Sequence, residues 1–296
     1  MGQYGLFLSA LLPDIPFRRD FSLAAHTTVG VGGTADAFSP RSAGQLLFLL
    51  NLCKRCGIRF YPLGAGSNVL PCDGVFAGVV VTTSHFDRLG AEGECVTAEC
   101  GVGTGKLLEL CRRRGLVGLE FLAGIPARVG GLVCMNAGTR EGHVGDLVES
   151  VTFARGGKIY TVGREACGFA YKESVFQHMS CVILSARFRL RQGAEGETEQ
   201  NIARALERRQ GLPKGKSMGC VFKNPSPDLS AGELIERSGC KGMRSGGALV
   251  SEAHANFLLN AGGATAADFY ALIERVKARV AAQTGVILEE EICYIR

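Results

Sequence analysis

The chain has 296 residues, which is long for one domain and favours two or three. Its net charge of +5 suits a protein that binds several phosphates, but the charge is too small and scattered to predict nucleic-acid binding. No stretch is apolar enough to predict a membrane span. Twelve cysteines without a secretory signal indicate reduced thiols in the cytoplasm. We therefore expect a cytoplasmic protein with no nucleic-acid or membrane partner.

The first part of the chain has the pattern of an α/β unit. An apolar patch at 7–12 is interrupted by Pro13 and is too short for a signal sequence. Residues 42–56 predict a helix that Ser42 caps, and 58–63 and 79–82 predict strands. The CxxC motif at 53–56 lies in this helix and has no second cysteine pair, so it predicts helix packing and no metal site.

The rest of the chain predicts two α+β units. Short strands at 95–100, 150–153, 159–162 and 182–190 alternate with turns, and 192–198 has the composition of a linker. Helices are expected at 202–210, 232–238 and 266–283, and a strand at 286–295. The predicted fold class is therefore α+β with an α/β start. The predicted units are 1–84 with the C-terminal strand 292–296, 85–196, and 197–291.

Two glycine-rich segments could bind a flat or phosphorylated ligand. The segment 64–70 offers backbone N–H groups together with Ser67 and Asn68, which can cradle a pyrophosphate. The segment 124–131 runs on to 135–138, and its glycines permit close approach of the backbone to a ligand. Each segment alone could be an ordinary surface turn. Gly101–Lys106 is not a P-loop, because Cys100 and Leu107 occupy positions that require Gly and Ser or Thr.

A third segment, 216–225, brings a thiol, a cation and an amide together around a small-residue turn. These groups are Cys220, Lys223 and Asn224. This segment resembles the Gly-Ser-x-Phe-Lys-Asn-Pro signature of the UDP-N-acetylenolpyruvoylglucosamine reductase family, with Cys220 in the place of the serine. Both glycine-rich segments resemble the same family. Further matching segments follow in the family's order: 26–33, 171–176, 246–257 and 288–292.

The resemblance implies a fold, cofactors and a reaction. The fold is a two-part FAD-binding region of the vanillyl-alcohol-oxidase type, followed by a smaller α+β substrate-binding domain. The short span between Phe176 and Cys220 indicates the compact subclass. The family reduces UDP-N-acetylglucosamine enolpyruvate to UDP-N-acetylmuramate for peptidoglycan, using non-covalent FAD with NADPH as co-substrate. We also expect a monomer.

The family's catalytic residues carry over to three positions. Hydride passes from flavin N5 to C3 of the substrate, and Cys220 gives a proton to C2. A thiol with an ordinary pKa near about 8.5 is mostly protonated at neutral pH. Glu291 matches the catalytic glutamate, and Lys172 stands where the family has an arginine that steadies the substrate carboxylate. Lysine keeps the charge and loses the bidentate fork.

The binding residues implied by the resemblance form two sets. The substrate-binding set is Tyr171, Ser217, Lys223 and Asn224. The FAD-binding set is Gly64, Ala65, Gly66, Ser67, Asn68, Val69, Gly124, Ile125, Pro126, Val129, Gly130, Gly131, Asn136 and Gly138.

Several alternatives remain open from the sequence. Cys220 could be only a small loop residue, with the proton coming from Glu291 or water. His254 could be a hydrogen-bonded structural residue or could contact a ligand. The whole chain could be another FAD-dependent oxidoreductase of the same fold, of the sugar-lactone-oxidase type. It could also be a non-catalytic flavin-binding protein.

Overall fold

The computed structural model describes residues 3–296, which form three sheets of four or five strands and three two-stranded pairings. The sheets follow one another along the chain, and helices pack on each of them. No helix among these residues has both the length and the apolar character needed to cross a bilayer.

The first sheet has the order β1-β2-β5-β3, in which β2, β5 and β3 are parallel and β1 is antiparallel. The elements are α1 (Gln3–Leu11), β1 (Phe17–Ser22), β2 (Thr34–Phe38), α2 (Ala43–Arg55), β3 (Phe60–Leu63), β4 (Val69–Pro71) and β5 (Val75–Thr82). The hydroxyl of Ser42 accepts a hydrogen bond from the N–H of Gln45 and caps α2 as predicted. Cys53 is buried on the inner face of α2, which confirms helix packing for this thiol.

Helix α1 is an element that the sequence patterns do not predict, since the apolar patch at 7–12 is short and ends at Pro13. Leu8 and Leu12 are buried in the same core as α2. The N–H of Gly5 donates to the carboxylate of Asp36 on β2 at 3.1 Å. The helix therefore packs on the first sheet through contacts that no local sequence signal reveals.

The second sheet is antiparallel and has the order β12-β11-β13-β7-β6. The elements of this part are β6 (Leu89–Glu92), β7 (Cys95–Glu99), α3 (Thr104–Arg114), β8 (Leu116–Val117), α4 (Val129–Cys134), β9 (Gly138–Thr139), β10 (Gly142–His143), α5 (Val144–Leu147), β11 (Val148–Arg155), β12 (Lys158–Gly163), β13 (Val182–Arg189), β14 (Arg191–Gln192) and α6 (Glu197–Arg208).

The predicted linker at 192–198 is wrong. Strand β14 pairs with β8, and α6 begins at Glu197. Gly196 takes a left-handed conformation at the start of α6, and Glu197 and Glu199 lie in its first turn, where negative charge favours the helix dipole. Thr198 is buried and donates to the carbonyl of Leu116. The composition that suggested a linker is thus the start of a helix.

The third sheet is antiparallel and has the order β15-β18-β17-β16. The elements are β15 (Ser217–Cys220), α7 (Ala231–Arg237), β16 (Arg244–Ser245), β17 (Ala248–Val250), β18 (Phe257–Asn260), α8 (Ala266–Thr284) and β19 (Cys293–Ile295). The three unit boundaries given above stay a prediction.

The C-terminal strand is shorter than predicted. Only β19 is a strand within 286–295, and it pairs in parallel with β4 of the first part of the chain. The preceding residues run beside 221–223 instead. The N–H of Lys223 donates to the carbonyl of Glu289, and the N–H of Glu291 donates to that of Val221. The end of the chain therefore runs from the third sheet to β4, in the first part of the chain.

We predict that Thr265→Ala destabilises α8. The Thr265 hydroxyl accepts from the N–H of Asp268, and the Asp268 carboxylate accepts from the N–H of Thr265, so each satisfies a free donor of the first turn. Loss of such a cap costs about 1 kcal/mol and lowers the thermal midpoint by about 2–4 °C. Thermal unfolding followed by circular dichroism measures the change. Thr265→Ser retains the hydroxyl and is the control; an equal loss in both variants contradicts the capping role.

Candidate active site

The first glycine-rich loop connects β3 to β4 and is pressed against the backbone of residues 26–28. Gly66 has a φ of +64°, and a Cβ atom there would lie 2.3 Å from the carbonyl oxygen of His26. The carbonyl of Gly66 accepts a hydrogen bond of 3.0 Å from the N–H of Thr28. Only glycine fits this position, for reasons of both conformation and space.

This loop has the free donors that a phosphate needs. The N–H groups of Ala65, Gly66, Ser67 and Asn68 make no hydrogen bond to any described residue. Successive unpaired N–H groups in a turn form a concave anion-binding site. The Asn68 side chain is already in use, because its amide donates to the carbonyl of Glu291 at 3.0 Å. The backbone of the loop thus fits a pyrophosphate group, while the Asn68 amide joins the loop to the C-terminal segment.

The second glycine-rich segment is partly fastened to the protein itself. The N–H groups of Val129 and Gly130, at the start of α4, donate to the carbonyls of Val102 and Cys100 at 2.9 Å. At Gly131, by contrast, a Cβ atom would meet no atom within 4 Å. Of the predicted FAD-binding glycines here, Gly131 is the one next to open space.

The other predicted residues of this segment differ in their surroundings. Gly124, Ile125 and Pro126 line a cleft of about 500 Å³, and Gly124 also borders a second cleft of about 620 Å³. Asn136 is buried; its amide donates to the carbonyl of Ala170, and its oxygen accepts from the N–H of Gly145. The Asn136 side chain therefore holds protein segments together.

Lys172 and Glu291, which are far apart in sequence, form an ion pair. The distance between Lys172 Nζ and Glu291 Oε1 is 2.9 Å, and the two side chains are only 17% and 13% exposed. Lys172 Nζ also lies 3.4 Å from the carbonyl oxygen of Gly138. Burial by itself lowers the pKa of Lys172, but the charge and hydrogen bond of Glu291 outweigh burial and raise it. Lys172 is therefore a cation at neutral pH.

The thiol of Cys220 lies in the electrostatic field of this pair. Cys220 ends β15, whose register with β18 shifts around Gly219, a residue with a φ of +76°. Burial, followed by the charge of Glu291, raises the pKa of the Cys220 thiol to about 12, against the opposing charges of Lys172 and Arg209. The thiol is thus a weaker acid than the ordinary cysteine assumed from the sequence. Cys220 is protonated throughout the physiological range.

Each predicted substrate-binding residue makes a hydrogen bond or an ion pair within the protein. Asn224 accepts from the N–H of Ala231, the first residue of α7, at 3.0 Å. The Tyr171 hydroxyl accepts from the backbone N–H of Asn224 at 3.3 Å, which brings the Lys172 turn next to the Cys220 loop. Lys223 Nζ lies 2.5 Å from Glu289 Oε1. The carbonyl of Ser217 accepts from the hydroxyl of Thr28.

Sequence reasoning assigned no role to two residues that act on Cys220. Asn256 is buried, and its oxygen accepts from the N–H groups of Val221 and Phe222, which fixes the backbone after Cys220. It lies in the matched segment 246–257, which was the available signal. Arg209 follows α6 and shows no motif. His254 accepts from the N–H of Asn256 at 3.3 Å, as the structural interpretation expects.

Comparison with known proteins agrees with the motifs. A family model described as the C-terminal domain of UDP-N-acetylenolpyruvoylglucosamine reductase matches residues 210–295, and one described as an FAD binding domain matches 23–163. The UDP-N-acetylenolpyruvoylglucosamine reductase of Geobacter metallireducens is 42% identical over 280 residues, which is 93% of this chain and 92% of that protein. That of Moorella thermoacetica is 41% identical over 91% of this chain and 90% of its own.

A solved structure extends the agreement to the fold. The crystal structure of UDP-N-acetylenolpyruvylglucosamine reductase from Thermus caldophilus matches with a TM-score of 0.83 and 34% identity, and covers 95% of this chain and 100% of that one. The fold expected from the resemblance, with its FAD-binding region, is thereby confirmed. The chain belongs to the UDP-N-acetylenolpyruvoylglucosamine reductase family.

Proposed function

We propose that this chain reduces UDP-N-acetylglucosamine enolpyruvate to UDP-N-acetylmuramate, with FAD as cofactor and NADPH as reductant. The observation that carries the proposal is the ion pair of Lys172 and Glu291 beside the Cys220 thiol, in a chain of this family. The residues come from three separate segments and combine a fixed cation with a neutral acid. We further propose that the enzyme acts as a monomer in the cytoplasm.

The free N–H groups of residues 65–68 would hold the pyrophosphate of FAD, and the open backbone at Gly131 would allow close approach of the cofactor. When bound, FAD takes hydride from NADPH and supplies it to C3 of the enolpyruvyl group. The protein's own residues then have two tasks. They must stabilise the negative charge that develops on the substrate, and they must deliver a proton to C2.

Lys172 performs the first task in this proposal. As C3 gains hydride, negative charge spreads onto C2 and the carboxylate, where a nearby ammonium stabilises it. An ammonium has three donors, and Glu291 accepts from one of them at 2.9 Å. The carbonyl of Gly138 accepts from a second at 3.4 Å. Glu291 and Gly138 therefore fix the direction of the cation and leave one donor for the substrate carboxylate.

Cys220 performs the second task. Its thiol donates a proton to C2, so the carbon–carbon double bond becomes a single bond with one hydride and one proton added. The thiolate that remains is stabilised by the charges of Lys172 and Arg209, which both lower the pKa of Cys220. The thiolate then regains a proton from solvent. The burial that raises the thiol pKa keeps the proton in place until C2 develops charge.

One assay separates this proposal from the two alternatives. The purified protein is mixed with NADPH, with and without the enolpyruvyl substrate, and NADPH loss is followed by its near-ultraviolet absorbance. We expect rapid loss only with the substrate. Reduction of the flavin by a sugar lactone, with consumption of oxygen and no need for NADPH, favours the oxidase alternative. A yellow protein whose flavin is reduced by neither NADPH nor a lactone favours a non-catalytic flavin-binding protein.

We predict that FAD is bound without a covalent link. Acid precipitation of the purified protein should release all of the flavin to the supernatant, where its absorption and fluorescence identify it as FAD. Flavin that stays in the protein pellet after washing contradicts this prediction.

We predict that Lys172→Ala impairs the reaction with substrate more than the reaction with NADPH. The variant loses a charge-assisted contact worth about 1.5–3 kcal/mol, which corresponds to roughly 10- to 150-fold in rate. Stopped-flow absorbance measures flavin reduction by NADPH and reoxidation by substrate separately. Lys172→Arg should retain most of the activity.

The control for this experiment is Lys241→Ala, which breaks the ion pair of Lys241 with Glu236 on the third unit. It should leave both half-reactions unchanged. If Lys172→Ala slows both half-reactions equally, Lys172 is structural or binds NADPH.

We predict that Cys220→Ala slows flavin reoxidation by the substrate about 10²- to 10⁴-fold, the usual cost of a lost general acid. Reduction by NADPH should remain near the wild-type rate. Cys220→Ser should restore most of the loss, because a hydroxyl can donate from the same position. An unchanged reoxidation rate in the Ala variant assigns the proton to Glu291 or water.

The pH dependence gives an independent check. Because the pKa of Cys220 is raised to about 12, the thiol keeps its proton as pH rises through the ordinary thiol range. Reoxidation of the wild type should therefore show no loss with a midpoint near about pH 8–9, where an ordinary thiol ionises. A loss there that is absent in Cys220→Ser would mean that the thiol ionises in the working enzyme.

A further inference from the structure

The segment 26–30 lies between the cofactor loop and the strand that carries Cys220, and Thr28 contacts both. The N–H of Thr28 donates to the carbonyl of Gly66 in the loop at 3.0 Å. The hydroxyl of Thr28 donates to the carbonyl of Ser217 at the start of β15 at 2.6 Å. Residue 28 therefore joins the cofactor loop to a strand of the third sheet.

A second bridge lies on the other side of Cys220. The N–H of Glu291 donates to the carbonyl of Val221 at 2.7 Å, and the carbonyl of Glu291 accepts from the Asn68 amide at 3.0 Å. Cys220 is thus bracketed by Ser217 and Val221, and each of these is joined through one residue to the loop 64–69. The Glu291 bridge uses backbone at its Val221 contact, whereas the Thr28 bridge to β15 uses a side chain.

The segment 26–30 is itself fixed, so Thr28 is a firm point of attachment. The amide of Asn260 donates to the carbonyls of Val29 and Gly30 at 3.2 and 3.3 Å. The Lys216 side chain lies across Gly30, where a Cβ atom would come within 2.7 Å of Lys216 Cδ. These contacts do not involve the Thr28 hydroxyl, so the segment stays docked when that hydroxyl is removed.

We propose that Thr28 is a positioning residue that sets the place of Cys220 relative to the cofactor loop. The inference rests on the proposed function, because it assumes that the thiol acts on a substrate held against bound FAD. Strand β15 has a register shift between Ser217 and Cys220, so regular pairing with β18 does not by itself fix the thiol. The Thr28 hydroxyl supplies a constraint at Ser217, the last paired position before the interruption. A displacement of about 1 Å at a reacting group can cost about 10²-fold in rate.

The test compares three variants of the full-length holoenzyme. Thr28→Val keeps the shape and the N–H but removes the hydroxyl, and Thr28→Ser restores it. Thr27→Val is the matched control: the neighbouring Thr27 hydroxyl is buried but donates to the carbonyl of Leu23 within its own turn. Stopped-flow absorbance follows both half-reactions, and fluorescence titration gives the dissociation constant for FAD.

For Thr28→Val we expect FAD binding and flavin reduction by NADPH within about twofold of wild type, and reoxidation by substrate slowed about 10- to 100-fold. Thr28→Ser should recover most of that rate. Thr27→Val should leave both half-reactions intact even if its thermal midpoint falls. Equal slowing in Thr27→Val and Thr28→Val, or normal reoxidation in Thr28→Val, overturns the proposal.

A second readout does not depend on turnover. Trypsin cleavage after Lys216 and Lys223 releases a seven-residue peptide in which Cys220 is the one cysteine. Its rate of alkylation by iodoacetamide, read by mass spectrometry, therefore reports Cys220 apart from the other thiols. We expect faster alkylation in Thr28→Val than in wild type, Thr28→Ser or Thr27→Val. An unchanged alkylation rate contradicts the proposal. If Thr28→Val folds poorly, Thr28→Ala replaces it, and the same criterion applies.

The two proposals can fail separately. If the wild-type flavin is not reoxidised by the enolpyruvyl substrate, the proposed function is wrong, whatever the alkylation rates are. If the wild type reacts and Thr28→Val reacts equally well, only the positioning role is wrong.

Discussion

The parallel pairing of β19 with β4 is the constraint on which the site depends. It returns the end of the chain to β4, directly after the cofactor loop, and places Glu291 two residues before the first paired position, Cys293. The Asn68 amide binds the carbonyl of Glu291, and the Glu291 N–H binds Val221. A carboxylate near the C-terminus is thereby held between the cofactor loop and the loop of Cys220. Without this return, the cation at Lys172 would have no buried partner.

Lys172 and Cys220, where the resemblance implies an arginine and a serine, are both compatible with the geometry. Arginine would present a planar fork to a carboxylate, whereas Lys172 presents a point charge whose direction is set by Glu291. At the other position, the half-buried thiol of Cys220 remains neutral, as a serine hydroxyl would. Both changes preserve the charge state of the position they occupy. At Lys172 the shape of the hydrogen-bond donor changes. At Cys220 the bond from the donor atom to carbon is longer, because it is a C–S bond.

Capping residues, apolar periodicity and terminal glycines predict those helices whose ends are set by nearby residues in the sequence. The helix at 266–283 has a cap at Thr265, an apolar stripe and a terminal glycine, and the structure has it at Ala266–Thr284. The predictions for 192–198 and for the extent of the last strand are wrong, because pairing between β14 and β8, and between 289–291 and 221–223, is not visible in the sequence. Such pairings join residues that are distant along the chain.

The candidate site shows the same division. Motifs alone indicate Lys172, Cys220 and Glu291, because these side chains lie in distinctive runs of the sequence. Residues that act through other residues are harder to assign. Arg209 lies in no matched segment and contributes only charge, whereas Thr28 lies in the matched segment 26–33, which does not show that its hydroxyl binds the carbonyl of Ser217. Their roles depend on which segments the fold brings together, and a single sequence does not contain that information in a readable form.

The raised pKa of Cys220 has a chemical consequence beyond proton donation. Nucleophilic attack on electrophiles and reaction with peroxide both require the thiolate, which is scarce when burial raises the pKa to about 12. The Cys220 sulfur should therefore react slowly with oxidants and covalent inhibitors, and any alkylation of the wild-type thiol should be slow enough for a faster variant to be distinguished from it. Peroxide should therefore oxidise more acidic thiols before Cys220, and compounds designed to capture an active-site cysteine should react poorly here.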